Sequence, residues 1–245
     1  MPPNDWHLPR RVAIAEQMDA SGVDSASLRR ALTFIRRINK LLGYTRATIR
    51  HLDRLTADVP ADRPLRVLDV ATGSADVPAA ILRWAERRKR RVNVVGLDLH
   101  ARTLFFAAEQ VGPAVRLVRG DALALPFADG SFDVAMTSMF LHHLPTETAV
   151  AALREMARVS RVGVIAADLV RNRRAYAWIT LFTMLSPPMI RHDARVSVRQ
   201  AFTLEEADAM RRAAGLDNAT THRHLGHRFV IAGRLVPSPG IPGEG

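Results

Sequence analysis

VLDVATGSAD, residues Val67 to Asp76, is the stretch on which the fold turns. An apolar run ends on an acid, Asp69, small residues follow, and an amphipathic pattern opens at Asp76. Small side chains let a ligand lie against the backbone, and a helix start offers unpaired N–H groups. Taken alone, the segment is equally an ordinary tight strand-to-helix turn.

Reading outward, short apolar runs alternate with helical patterns from Leu65 onward. Strands are expected at Leu65–Val70, Val92–Asp98, Val115–Arg119, Phe132–Ser138 and Val162–Asp168, with helices near Asp76–Arg90, Ala101–Val111 and Thr146–Val159 between them. Such alternation signals βαβ units and a parallel sheet with helices on both faces. Residues 218–235 read as a final pair of strands, giving an α/β, Rossmann-like sheet of seven. Thr203 with Glu206 three residues on is a capping box opening a helix to Ala214.

Upstream, residues 1–24 read as irregular and loosely held. Leu28, Leu32, Ile35, Ile38 and Leu42 then recur at helical spacing from Ser25, with Gly43 as the stop, and a second helix spans Tyr44–Leu55. Residues 1–60 are thus an expected helical cap and 61–236 the main domain. Arg171–Gln200 is an insertion with an apolar middle. The Pro/Gly tail, 237–245, is expected to be disordered.

The 245 residues are 48% hydrophobic and 24% charged, enough for a large core, and the net charge is +11. Positive charge attracts nucleic acid or anionic lipid. The densest run, Arg87-Arg88-Lys89-Arg90-Arg91, instead complements a helix C-terminus and faces water. No cysteine is present, which removes disulfides, thiolate metal sites and cysteine nucleophiles. Met1–Arg10 has no signal-peptide pattern, and Ala175–Leu185 is about half the ~20 residues a membrane-spanning helix needs, so a cytoplasmic chain is expected. A peripheral membrane contact stays open.

Further signals follow the later strands. Asp98 ends the second, where an acid binds ribose hydroxyls in nucleotide-binding Rossmann folds. Gly120-Asp121-Ala122 follows the third, and Ser131-Phe132-Asp133-Val134 opens the fourth. Together with Val67–Asp76 this series resembles the class I S-adenosylmethionine-dependent methyltransferases over about residues 65–168. DALALPFADGSF, Asp121–Phe132, is similar to the ubiquinone/menaquinone C-methyltransferase branch.

The resemblance implies S-adenosylmethionine as cofactor. Asp69, Ala71, Thr72, Gly73 and Ala75 would wrap its methionine part. Asp98, with Leu99 beside it, would hold the ribose. Asp121 would meet the adenine amino group, and Ala122 or Leu123 would flank the ring. The family loop reads acid-x-Gly-x-Gly-x-Gly; here Ala71 and Ala75 replace the outer glycines. The dinucleotide fingerprint, the P-loop, the G-x-S-x-G elbow and the H-E-x-x-H pair are all absent from the sequence. So is the Asn-Pro-Pro-Tyr type motif of amino-group methyltransferases.

In its place stands Phe140-Leu141-His142-His143-Leu144-Pro145. A sulfonium methyl is already activated, so displacement mainly needs positioning and exclusion of water. A neutral phenol or acidic carbon also benefits from a base. His142 and His143 either pack a helix start or supply that base; being adjacent, they are expected on different faces, so at most one would be catalytic. Asp168 either orients a histidine, accepts a proton itself, or has a capping or ion-pairing role with Arg171 or Arg173.

In the insertion, Tyr176, Trp178 and Phe182 either roof an apolar acceptor pocket or pack as core. His192 and Arg195, in Arg191-His192-Asp193-Ala194-Arg195, either clamp a polar acceptor group or sit in a solvated loop. His222, His224 and His227 have no carboxylate nearby in sequence, and no metal site is expected. The expected activity is methyl transfer to an oxygen or carbon of an apolar small molecule: an aromatic polyketide, phenol or quinone. The alternatives are an RNA methyltransferase and a non-catalytic cofactor-binding protein.

Overall fold

The computed structural model describes residues 8, 10–12, 14, 16–19, 22–41, 43–225 and 227–235. The expected tail, 237–245, lies outside them. Seven strands form one sheet: β1 (Leu65–Val70), β2 (Val92–Asp98), β3 (Arg116–Arg119), β4 (Phe132–Ser138), β5 (Ser160–Leu169), β6 (Ala219–His224) and β7 (Arg228–Arg234). Their order is β3-β2-β1-β4-β5-β7-β6. The first five are parallel, and β7 runs antiparallel between β5 and β6.

Alternation along the strands decides which side chains face which helices. Leu65 and Val67 enter one core layer with Ile81 and Trp84 of α3 (Asp76–Arg88) and Ala107 and Val111 of α4 (Ala101–Val111). Leu68 and Val70 enter the other, with Leu153 and Met156 of α5 (Thr146–Arg158) and Ala207 and Met210 of α8 (Leu204–Ala213). Thr203 and Glu206 form the expected capping box.

Of the N-terminal helices, α1 (Ser25–Leu41) and α2 (Tyr44–Leu55), the second is built into the sheet: Leu52 is fully buried among Val67, Ile81 and Ile165. Leu28 and Leu32 of α1 pack on Phe106 of α4. The insertion folds as α6 (Arg173–Phe182), capped by the Asn172 side chain, and α7 (Pro188–Gln200).

The described residues between 8 and 19 are not loosely held, contrary to the sequence expectation. They form a strap along α7 and over the end of β4. Asp193 accepts the amides of Gln17 and Met18 at 2.8 and 3.0 Å, and Gln200 Nε2 donates to the Ile14 carbonyl at 2.6 Å. Arg11 donates to the carbonyls of Gln200 and, at 2.8 Å, His142, its guanidinium stacked 3.8 Å over Phe202. Apart from a 3₁₀ turn at Gln17–Asp19, the stretch lacks periodicity because contacts to distant elements, not regular secondary structure, hold it.

Candidate active site

β1 and β4 are neighbours whose connections run to opposite sides, the switch point where open α/β sheets bind ligands at the carboxyl ends of strands. The loop after β1 lies there. Asp69 is buried and accepts the Thr72 hydroxyl at 2.6 Å; burial pushes its carboxyl up to about 8. Ala71, Gly73 and Ala75 all have left-handed backbones, φ 54°, 54° and 56°. The two alanines therefore keep the backbone path of the glycines they replace. A Cβ at Gly73 would meet nothing within 4 Å, so this face of the loop is open. A Cβ at Gly96 would come within 2.9 Å of Thr72 Oγ1, so glycine is what lets β2 carry the loop so closely.

The alanine conformation has a measurable consequence. Left-handed alanine costs about 1 kcal/mol that glycine does not, and Ala71 is only partly buried. Ala71→Gly is expected to stabilise the fold by about 0.5–1 kcal/mol in urea unfolding. A loss of stability would mean that the Ala71 methyl has packing that outweighs its backbone strain.

Asp98, at the end of β2, accepts the Gly73 amide at 3.0 Å and the His100 amide at 3.0 Å, tying loop and strand together. Asp121 lies past β3 and accepts the Leu123 amide at 2.9 Å. Leu99 and Leu123 are exposed, whereas Ala122 is turned into the core. Three carboxylates at adjacent strand ends, an open glycine face and two exposed apolar side chains fit a ligand with hydroxyls, an amino group and a flat ring. Asn39 of α1, donating to Asp76 at 3.1 Å, brings the first helix onto this loop.

The post-β4 histidines occupy a 3₁₀ turn, Leu141–His143. Their rings lie 4.2 Å apart at 32°, not on different faces as expected. Opposed faces belong to extended strands; a tight turn sets successive side chains obliquely, and the rings come together. His142 is buried. Its Nδ1 lies 2.7 Å from Asp168 Oδ1, and its amide donates to Asp168 Oδ2 at 3.0 Å. On the other side Nε2 is 3.6 Å from Oε1 of Glu16, a strap residue that also accepts the Ser197 hydroxyl. Burial alone would lower the His142 pKa. Asp168 and Glu16 outweigh it and push it up to about 10, so the ring is an imidazolium between two carboxylates.

Asp168 pairs with neither Arg171 nor Arg173, as one expectation had it. Arg171 is drawn away by Glu206, at 2.7 and 3.0 Å, and by the Ala201 carbonyl. His143 is the half-buried member of the histidine pair. Glu16, His142 and His143 bring ligand atoms within 4.8 Å of one another, the spacing of a cation site. In this structure the imidazolium supplies the positive charge between the carboxylates.

The Arg191–Arg195 cluster is not a loop but the first half of α7. Asp193 faces the strap, while His192 and Arg195 line a cavity of about 390 Å³ with Tyr176 and Ile14. Trp178 and Phe182 stack on each other, centroids 4.9 Å apart at 15°, and neither lines that cavity. His222 and His224 gather around His51, with centroids at 4.8 and 5.1 Å, and without His227. Sequence reasoning missed Glu16, Arg11 and Asp193. For Asp193 a signal existed: Ile190, Asp193, Ser197 and Gln200 recur at helical spacing and are all buried.

A family model described as a methyltransferase domain matches residues 67–163. A demethylmenaquinone methyltransferase of Roseiflexus sp. (strain RS-1) is 33% identical over 192 residues, 72% of this chain and 75% of the relative. One from Deinococcus radiodurans is 34% identical over 110 residues; this match spans 44% of the chain and only 43% of that relative's length. Among solved structures, a SAM-dependent methyltransferase from Aquifex aeolicus shares the fold, with TM-score 0.59 and 16% identity over 87% of this chain and all of that one.

Proposed function

The chain belongs to the S-adenosylmethionine-dependent methyltransferases of the ubiquinone/menaquinone-like branch, and on that premise we propose that it methylates an oxygen or carbon of an apolar aromatic acceptor, a quinol, phenol or aromatic polyketide. The observation that carries the reading is the His142–Asp168 pair at the ends of β4 and β5, beside the carboxylate-lined groove at the ends of β1, β2 and β3.

The cofactor, when bound, supplies a methyl group on a sulfonium, which leaves as a neutral thioether. The residues do the rest. Asp98 would accept ribose hydroxyls, Asp121 would accept the adenine amino group, and Leu99 and Leu123 would cover the ring. Asp168 holds the His142 Nδ1 proton and fixes the ring. His143, half-buried with its ring tilted against that of His142, takes the acceptor's proton at a ring nitrogen as the methyl bond forms. Glu16 seats the strap on His142 and keeps water out of the turn. Tyr176, His192 and Arg195, which line the cavity beside the strap, would contact the acceptor body.

The test is a radiolabel screen with S-adenosylmethionine. Label is expected in a short-chain demethylmenaquinol, a naphthol or an aromatic polyketide. Label in bulk tRNA or rRNA and in none of these would replace the reading with RNA methylation.

A further inference from the structure

Glu16 and His142 are both buried, yet they stand too far apart for the hydrogen bond their charges invite. Glu16 Oε1 lies 3.6 Å from His142 Nε2. A charge-assisted hydrogen bond between such groups closes to about 2.7–2.9 Å. Two ligand atoms on one tetrahedral metal ion, each about 2.1 Å from it, instead stand about 3.4 Å apart. His143 completes a set of three: one ligand atom from each of Glu16, His142 and His143 lies within 4.8 Å of the other two. His143 is half-buried, which gives an ion a way in from solvent.

The groups behind these three are those a metal site needs. Asp168 Oδ1 lies 2.7 Å from His142 Nδ1, and Asp168 Oδ2 accepts the His142 amide at 3.0 Å. With the Nδ1 proton held there, the Nε2 lone pair is aimed at Glu16, the arrangement of carboxylate, histidine and metal in line. Glu16 Oε1 in turn accepts the Ser197 hydroxyl, which fixes the carboxylate. Asp193 anchors the strap beside it through the Gln17 and Met18 amides. Two imidazoles and one carboxylate suit zinc, iron or nickel, whereas magnesium and calcium take oxygen ligands.

We propose that Glu16, His142 and His143 form a site for a divalent transition-metal ion of the zinc class, with Asp168 behind His142 and Ser197 behind Glu16. The ion takes the place of the His142 Nε2 proton, which leaves to solvent. The carboxylates that favour a positive ring favour the ion in its place. Binding ties the strap to the turn after β4. A His143 nitrogen on the ion cannot also take an acceptor's proton, so the loaded chain is the form held out of methyl transfer. The inference does not rest on the methyl-transfer reading, because binding is read without turnover.

The experiment is calorimetric titration of ZnCl₂ into the full, untagged chain after chelation and desalting, at about pH 8, where protons compete less for the ring. One ion per chain is expected to bind. At zinc about 100-fold above Kd, thermal unfolding should rise by roughly 5–10 °C. Glu16→Gln and His143→Gln should each raise Kd at least about tenfold and lose most of that rise. His222→Gln with His224→Gln should bind as wild type does, since those rings gather around His51 and not at this turn. No binding to wild type would overturn the proposal. Wild-type affinity in His143→Gln would also overturn it, whether or not Glu16→Gln folds. Binding lost only in the His222, His224 variant would place the ion on the His51 cluster and overturn it too.

Discussion

His143→Ala is expected to lower turnover about 10²–10⁴-fold at saturating cofactor, the range for loss of a general base, while leaving cofactor affinity unchanged. His143 is the right residue to remove. It is half-buried, and its neighbour His142 is not a clean target. The His142 ring is the cation between Asp168 and Glu16, and deleting it strands two buried carboxylates. Breaking such a pair typically costs about 3–5 kcal/mol, so His142→Ala should unfold at markedly lower denaturant and say little about chemistry. The two variants therefore separate the roles: one loses rate with normal stability, the other loses stability. His143→Ala with near-normal turnover would leave positioning and water exclusion as the whole of catalysis, and the proton would have to leave by solvent.

The sheet was legible because its signals are local. Leu65–Val70, Val92–Asp98 and Phe132–Ser138 are bounded in sequence where they are bounded in space, and the first two carry Asp69 and Asp98 to the groove. The Thr203–Glu206 cap spans three residues and is equally readable. What stayed hidden is contact between distant elements. Glu16 is a lone carboxylate in an aperiodic stretch, and it matters only because α7, far along the chain, anchors the strap through Asp193, Ser197 and Gln200. The same holds for Arg171, whose local neighbour Asp168 lost it to Glu206. The histidine pair differs for another reason: adjacency in sequence separates side chains in regular elements, whereas the 3₁₀ turn brings these two rings together. The outer alanines of the loop lay between the two cases. Their substitution for glycine was visible, but the left-handed backbone they retain was not.

That retained backbone makes Asp98 the decisive probe of the groove. Asp98→Ala is expected to weaken S-adenosylhomocysteine binding by about 1.5–3 kcal/mol, a roughly 10- to 150-fold rise in Kd, as for hydrogen bonds lost to a charged acceptor. The carboxylate also holds the Gly73 and His100 amides, so loop relaxation contributes to any simple loss of affinity. A ligand lacking the ribose hydroxyls separates the two effects. Wild type should bind the 2′,3′-dideoxy analogue of S-adenosylhomocysteine much more weakly than the parent. Asp98→Ala, having no acceptor there, should bind the two nearly alike, and the difference between these differences is the coupling of carboxylate to hydroxyls. Asp98→Asn keeps the shape and one acceptor oxygen. It should fall between, because its amide NH₂ cannot accept from a hydroxyl or from the Gly73 amide. Calorimetric titration of the four protein–ligand pairs reads the cycle. A coupling near zero with weakened binding throughout would make Asp98 a strut of the loop, with the ribose held elsewhere.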